Sequence, residues 1–126
     1  MHMPQVLILA RNDFHRRLMT DLVACNEMGV RAAAHADALE QVVSGTYRAD
    51  VVVIDCHMER GDVDRALGRL RDLPPARRPR VLGVSPPAEL AGDQAFAECL
   101  GWPIDIGDFA RRVKDQAQAQ VLALEV

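Results

Sequence analysis

Lysine is nearly absent from this chain of 126 residues: Lys114 stands alone beside fourteen arginines. Positive charge is not in excess either, since the formal net charge is −3, so no global basic field draws the protein to nucleic acid. No apolar run approaches the roughly 20 residues that a bilayer span needs. The opening Met1-His2-Met3-Pro4 lacks a charged stretch followed by an apolar core, which argues against a secretory signal. Cysteine is limited to Cys25, Cys56 and Cys99, widely spaced and without a C-x-x-C pair. That count disfavours a disulfide framework or zinc site and fits a reducing cytoplasm. The four histidines His2, His15, His35 and His57 show no ligand spacing in the sequence.

What is present is a globular mixture, 49% hydrophobic and 26% charged, of a length that suits one domain over residues 1–126. Five short apolar runs alternate with helical patterns. Gln5–Ala10 is continuous rather than alternating, as a strand buried on both faces requires. Asn12-Asp13 offers a helix cap before Phe14, Leu18, Leu22 and Val23, and Met28-Gly29 ends that helix. Val30–His35 is a weaker strand; Asp37 caps a helix over Ala38–Val43, and Gly45 closes it.

Ala49–Ile54 is a strand that delivers Asp55 at its end. After a polar loop, Val63, Ala66, Leu67 and Leu70 mark a helix that Pro74 and Pro75 terminate. Arg80–Val84 and Phe96–Leu100 are the last two strands. Between them Ser85-Pro-Pro87 starts only a short helix, and Asp105 opens a final helix to about Leu124. Such alternation implies an α/β fold with one parallel sheet and helices on both faces. Ligands in these sheets sit at the carboxyl ends of the strands, which places Ala10-Arg11, Asp55 and Ser85 around one crevice.

Asp55 on its own reads as a strand-end acid capping nearby amides. Its surroundings go further. The segment from Ile54 to Arg71, with Met58 and the helix register of Leu67 and Leu70, resembles the phospho-acceptor segment of bacterial response-regulator receiver domains. The resemblance runs over nearly the whole chain and implies a flavodoxin-like sheet of order 2-1-3-4-5. It makes Asp55 the phospho-acceptor equivalent and Ser85 the switch hydroxyl. Cys99 takes the aromatic switch position. The metal-holding acidic pair is replaced by Ala10 and Arg11, and the Lys-Pro pair by Trp102 and Pro103.

These replacements remove the cations and cation ligands on which phosphoryl transfer relies. One carboxylate makes a poor Mg²⁺ site. A slip that brings Asn12 and Asp13 into the acidic positions would pull Leu9 out of the sheet. The resemblance therefore implies a degenerate pseudo-receiver that is not an enzyme, needs no cofactor and has no metal ligands. It would act through contact with a regulatory partner or output domain, and as a homodimer, without touching nucleic acid or membrane. The alternative is a working receiver phosphorylated on Asp55 by a histidine kinase with Mg²⁺. A small α/β enzyme is weaker: Gly83-Val-Ser-Pro-Pro87 resembles a nucleophile elbow but lacks its second glycine. Arg77-Arg78-Pro79-Arg80 reads as a solvated basic loop.

Four structural expectations follow. Only seventeen positions separate Ser85 from Trp102, so the fourth helix shrinks to one or two turns. With that helix reduced, self-association should use the last helix, through Phe109, Val113 and Val121, and residues 118–126 serve as a linker or dimer extension. Trp102-Pro103 should be cis, since an X-Pro bond costs only about 0.5–1 kcal/mol in that form. Arg11 should pair with Asp55 or Asp13, or turn to solvent. His57, two positions beyond Asp55, stands where receivers tune the lifetime of the phosphoryl group, although an exposed loop histidine is the safer default.

Overall fold

The computed structural model describes residues 3–125. Met1, His2 and Val126 lie outside them, so neither His2 nor the end of the 118–126 extension enters the description. Five strands, β1 (Gln5–Leu9), β2 (Gly29–Ala33), β3 (Val51–Asp55), β4 (Arg80–Val84) and β5 (Glu98–Leu100), form one sheet in the order β2-β1-β3-β4-β5. Every neighbouring pair is parallel. The expected flavodoxin-like order is the observed one.

Alternation along β1 explains the two-layered core. Val6 and Ile8 point to one face, where Val51, Val53, Leu82 and Val84 meet Met19 and Val23 of α1 (Asp13–Ala24) and Phe109, Val113 and Ala117 of α5 (Ile106–Glu125). Leu7 and Leu9 point to the other, with Val52 and Ile54. There they meet Leu39 and Val42 beside α2 (Glu40–Val43), and Val63, Leu67 and Leu70 of α3 (Arg60–Arg71). The central strands β1, β3 and β4 are nearly continuous apolar runs because both faces are covered. Among the described residues no helix is long and apolar enough to cross a membrane.

Several boundaries differ from the sequence reading. The first helix ends at Ala24, and Glu27 rather than a glycine takes the left-handed turn at φ 62°; Gly29 already belongs to β2. Asp37 does not cap the second helix. Ala36–Leu39 is a 3₁₀ turn leading into α2, and Asp37 instead pairs with Arg65 at 2.9 Å. β3 begins at Val51 because the Asp50 carboxylate accepts the Gln5 N–H at 2.8 Å while its carbonyl accepts from Arg80 at 3.0 Å. β5 keeps only three residues, since Phe96 turns inward against Gly83.

The fourth helix, α4 (Ala88–Ala91), is a single turn, as the short spacing predicts. Asp105 caps α5, its carboxylate accepting the Asp108 N–H at 2.8 Å. The proposed dimer stripe is corrected here. Phe109 and Val113 are at most 1% exposed and face the sheet, because the apolar stripe of α5 is what anchors it. Among the described residues the large exposed apolar side chains of that helix are Ile106 and Leu122.

Candidate functional site

Four apolar residues carry β3 through the core and place Asp55 at its carboxyl end, paired in register with Val84 and fully buried. The chain then turns tightly: Cys56 N–H donates to the Val84 carbonyl at 2.9 Å and Met58 N–H to the Asp55 carbonyl at 3.2 Å. That turn returns His57 over the carboxylate. Its N–H donates to Oδ1 at 3.1 Å, and its ring Nδ1 lies 2.6 Å from the same oxygen.

The second oxygen is held from another element. Asn12 caps α1 by accepting the His15 N–H on Oδ1 at 2.9 Å, which fixes His15 in the first helical turn above the strand ends. His15 Nδ1 lies 2.7 Å from Asp55 Oδ2, and this imidazole is only 13% exposed. Trp102, following β5, stacks on His15 with centroids 3.7 Å apart and planes 29° apart. The two imidazoles lie 5.0 Å apart, edge to face. Two imidazoles thus hold one carboxylate, and the indole stacks on one of them.

The other expected positions fall around this group with different partners. Ala10 is buried, with no side-chain donor atom, and its carbonyl accepts from Arg16 at 3.0 Å. Leu9 stays in the sheet opposite Ala33 and Ile54, so the register slip does not occur. Asn12 is spent as the cap, and Asp13 pairs with Arg16 at 2.6 Å. Arg11 meets neither Asp55 nor Asp13: it reaches outward to Glu59 at 2.7 Å, both side chains mostly exposed. The polar loop after β3 provides a carboxylate on the solvent side, where a guanidinium stays hydrated.

Ser85 directly follows β4 in a left-handed conformation, φ 51°, which is uncommon for a residue other than glycine. Its N–H donates to the Leu100 carbonyl at 2.7 Å. Among the described residues its hydroxyl has no hydrogen bond to Asp55. Cys99 pairs with Gly83 and packs against the α3 side of the core. Burial raises its thiol pKa, and Glu98 adds to the effect. Burial, together with the neighbouring Asp55, pushes the Cys56 thiol up to about 12. All three cysteines are free. Trp102-Pro103 is cis, as expected.

The reading of the histidines as dispersed is corrected for two of them. His15 and His57 meet at Asp55, with one ligand atom from each of the three residues lying within 4.8 Å of the others. The usable signal was local: a cap at Asn12 puts the residue three positions on into the first turn facing the strand ends. The residues present do not fit the Mg²⁺ of an ordinary receiver. That ion wants several oxygen ligands, whereas Ala10 offers none and Arg11 brings a positive charge that has turned away.

No protein-family model and no curated protein matches this sequence. Solved structures do. The signal receiver domain of an HD domain-containing protein from Pseudomonas fluorescens Pf-5 is similar at TM-score 0.82 and 15% identity, covering 99% of this chain and 94% of that one. A CheY-like response regulator receiver domain from Methanospirillum hungatei JF-1 matches at TM-score 0.82 and 13% identity, covering 97% and 99%. The chemotaxis response regulator CheY4 of Vibrio cholerae matches at TM-score 0.75 and 16% identity, over 91% and 99%. At these identities the likeness is one of architecture: the chain has the fold of response-regulator receiver domains.

Proposed function

We propose that this chain is a receiver-like signalling module of a two-component or related regulatory system, acting through protein contacts rather than Mg²⁺-dependent phosphorylation. The observation that carries the reading is the state of Asp55: both carboxylate oxygens are engaged by imidazoles, under a tryptophan where receivers place lysine. An attacking carboxylate needs a free oxygen, and the developing charge on the phosphoryl group needs cations close by. Neither Ala10 nor Arg11 helps to hold one. On this reading Asp55 is a structural anchor and Ser85 and Cys99 are relics of a switch. The chain is not an enzyme.

The partner is a regulatory protein or an output domain, met in the cytoplasm, and self-association belongs to the same reading. The test is incubation of the full chain with a small acyl phosphate and Mg²⁺, followed by intact-mass measurement. No stable gain of one phosphoryl group is expected. A gain that disappears in Asp55→Asn would replace this reading with that of a phospho-acceptor served by a histidine kinase.

A further inference from the structure

The group around Asp55 has the wrong donors for Mg²⁺ and the right ones for a different class of ion. We propose that His15, Asp55 and His57 form a binding site for a divalent transition metal of the Zn²⁺, Co²⁺ and Ni²⁺ class. Imidazole suits these ions, whereas Mg²⁺ and Ca²⁺ take oxygen. Two histidines and one carboxylate also leave coordination positions open for water or a partner's side chain.

The geometry supports this in three ways. First, one donor atom from each residue lies within 4.8 Å of the other two, so a single ion can reach all three. Ligands at about 2.0–2.1 Å from a tetrahedral metal stand roughly 3.3–3.4 Å from one another. The imidazole–carboxylate gaps of 2.7 and 2.6 Å therefore need to widen by roughly 0.6–0.8 Å to admit the ion. Each ring nitrogen that turns to the ion must present its lone pair, which a neutral imidazole does by carrying its proton on the other nitrogen.

Second, the carboxylate is fully buried, yet among the described residues no lysine or arginine pairs with it. Arg11 is held by Glu59, and Arg16 by Asp13 and the Ala10 carbonyl. The place of a fixed cation is left to whatever the two imidazoles can bring. Third, the donors sit on well-anchored elements. Asp55 ends the central strand, His15 is fixed by the Asn12 cap and the Trp102 ring, and His57 is fixed through its own N–H. Pre-organisation of this kind lowers the cost of binding. The inference rests on this donor set alone and stands apart from the signalling reading.

Trp102, the only tryptophan, reports on the site because it stacks on a ligand ring. The metal-free full chain is titrated with Co²⁺, following Trp102 emission and the visible absorption of the ion, and Zn²⁺ is then added. Saturable binding of one Co²⁺ per chain at micromolar concentration is expected, with quenching of Trp102, displacement by Zn²⁺ and no competition from millimolar Mg²⁺. His15→Ala and His57→Gln should each weaken binding at least about tenfold, the scale that even outer-sphere partners of a metal reach. His35→Ala and Cys25→Ser, both exposed and outside the site, should leave binding unchanged.

Circular dichroism of each variant checks that it is folded. His57→Gln lies in a loop and its ring is half-exposed, so it removes a ligand without emptying the core. The absence of a saturable response would overturn the proposal and leave a hydrogen-bonded triad only. So would binding that survives unchanged in folded His57→Gln.

Discussion

His15 and Asp55 stand 40 positions apart in the chain and 2.7 Å apart in the fold, while His57 approaches the same carboxylate from two positions away. The two contacts are not equivalent. Asp55 Oδ1 is bonded both to the His57 ring and to the His57 backbone N–H, so removing that ring leaves it one partner. Oδ2 has only His15.

His15→Ala should therefore cost about 1–3 kcal/mol, the penalty for a buried acceptor left unsatisfied. His57→Ala should cost distinctly less. Urea unfolding of the two variants compares them, and equal losses would count against the asymmetry.

Glycine is needed at Gly83 but not at Gly29. A Cβ on Gly83 would meet the buried Phe96 ring at 2.7–3.1 Å, in the middle of a paired strand. At Gly29 the clash is with the end of the Gln5 side chain, which can rotate away. Gly83→Ala should lower stability by about 1–3 kcal/mol, as overpacking does. Gly29→Ala should change it far less. Thermal melts of the two variants decide between them.

Phe109 belongs to the core and not to a contact surface. Phe109→Ala should destabilise the fold by about 3–5 kcal/mol. Ile106→Ser, at a position 61% exposed, should leave the unfolding midpoint nearly unchanged. If light scattering instead showed Phe109→Ala folded and merely dissociated, the packing described here would be wrong.

Asp93 ties the one-turn α4 region to α3, with its carboxylate accepting the Ala95 N–H at 2.8 Å and pairing with Arg71. The amide first, and the guanidinium next, hold its pKa below the usual carboxylate value. A carboxyl group lowered on folding adds stability above the unfolded pKa of about 3.9, and loses it as pH falls through the folded value. Asp93→Asn should thus be less stable than the parent at neutral pH, and the gap should close in strong acid. Urea midpoints at several pH values check this; a gap independent of pH would exclude the linkage.

The sheet was legible because its central strands β1, β3 and β4 are nearly continuous apolar runs, a pattern that survives small boundary errors. Asp55 was legible because a charge ends the most apolar of those runs, and the one-turn α4 because too few residues lie between Ser85 and Trp102. His15 was legible only in part: the Asn12 cap places it in the first turn of α1, but its meeting with Asp55 depends on how α1 crosses the ends of β1 and β3, a tertiary relationship. Arg11 takes the outward one of its expected alternatives, because a hydrated guanidinium meets an exposed glutamate at less cost than it enters a buried corner. The apolar stripe on α5 was correctly located but assigned to the wrong neighbour, since periodicity marks a buried face without saying what buries it.

The strand order has a last consequence, for aggregation. An open sheet exposes backbone at its two outer strands, and a long, flat, apolar edge recruits strands from other molecules. Here one edge is β2, half-buried to exposed, with Arg31 lying over the Tyr47 ring and bonded to Gln41. The other is β5, only three residues long, with Glu98 bound by Arg112 and Gln116. A template of three residues, or one carrying an exposed arginine at its centre, is a weak start for a cross-strand ladder. The apolar interior strands β1, β3 and β4 are the aggregation-prone part of this chain, and they are shielded only while these two modest edges stay in place.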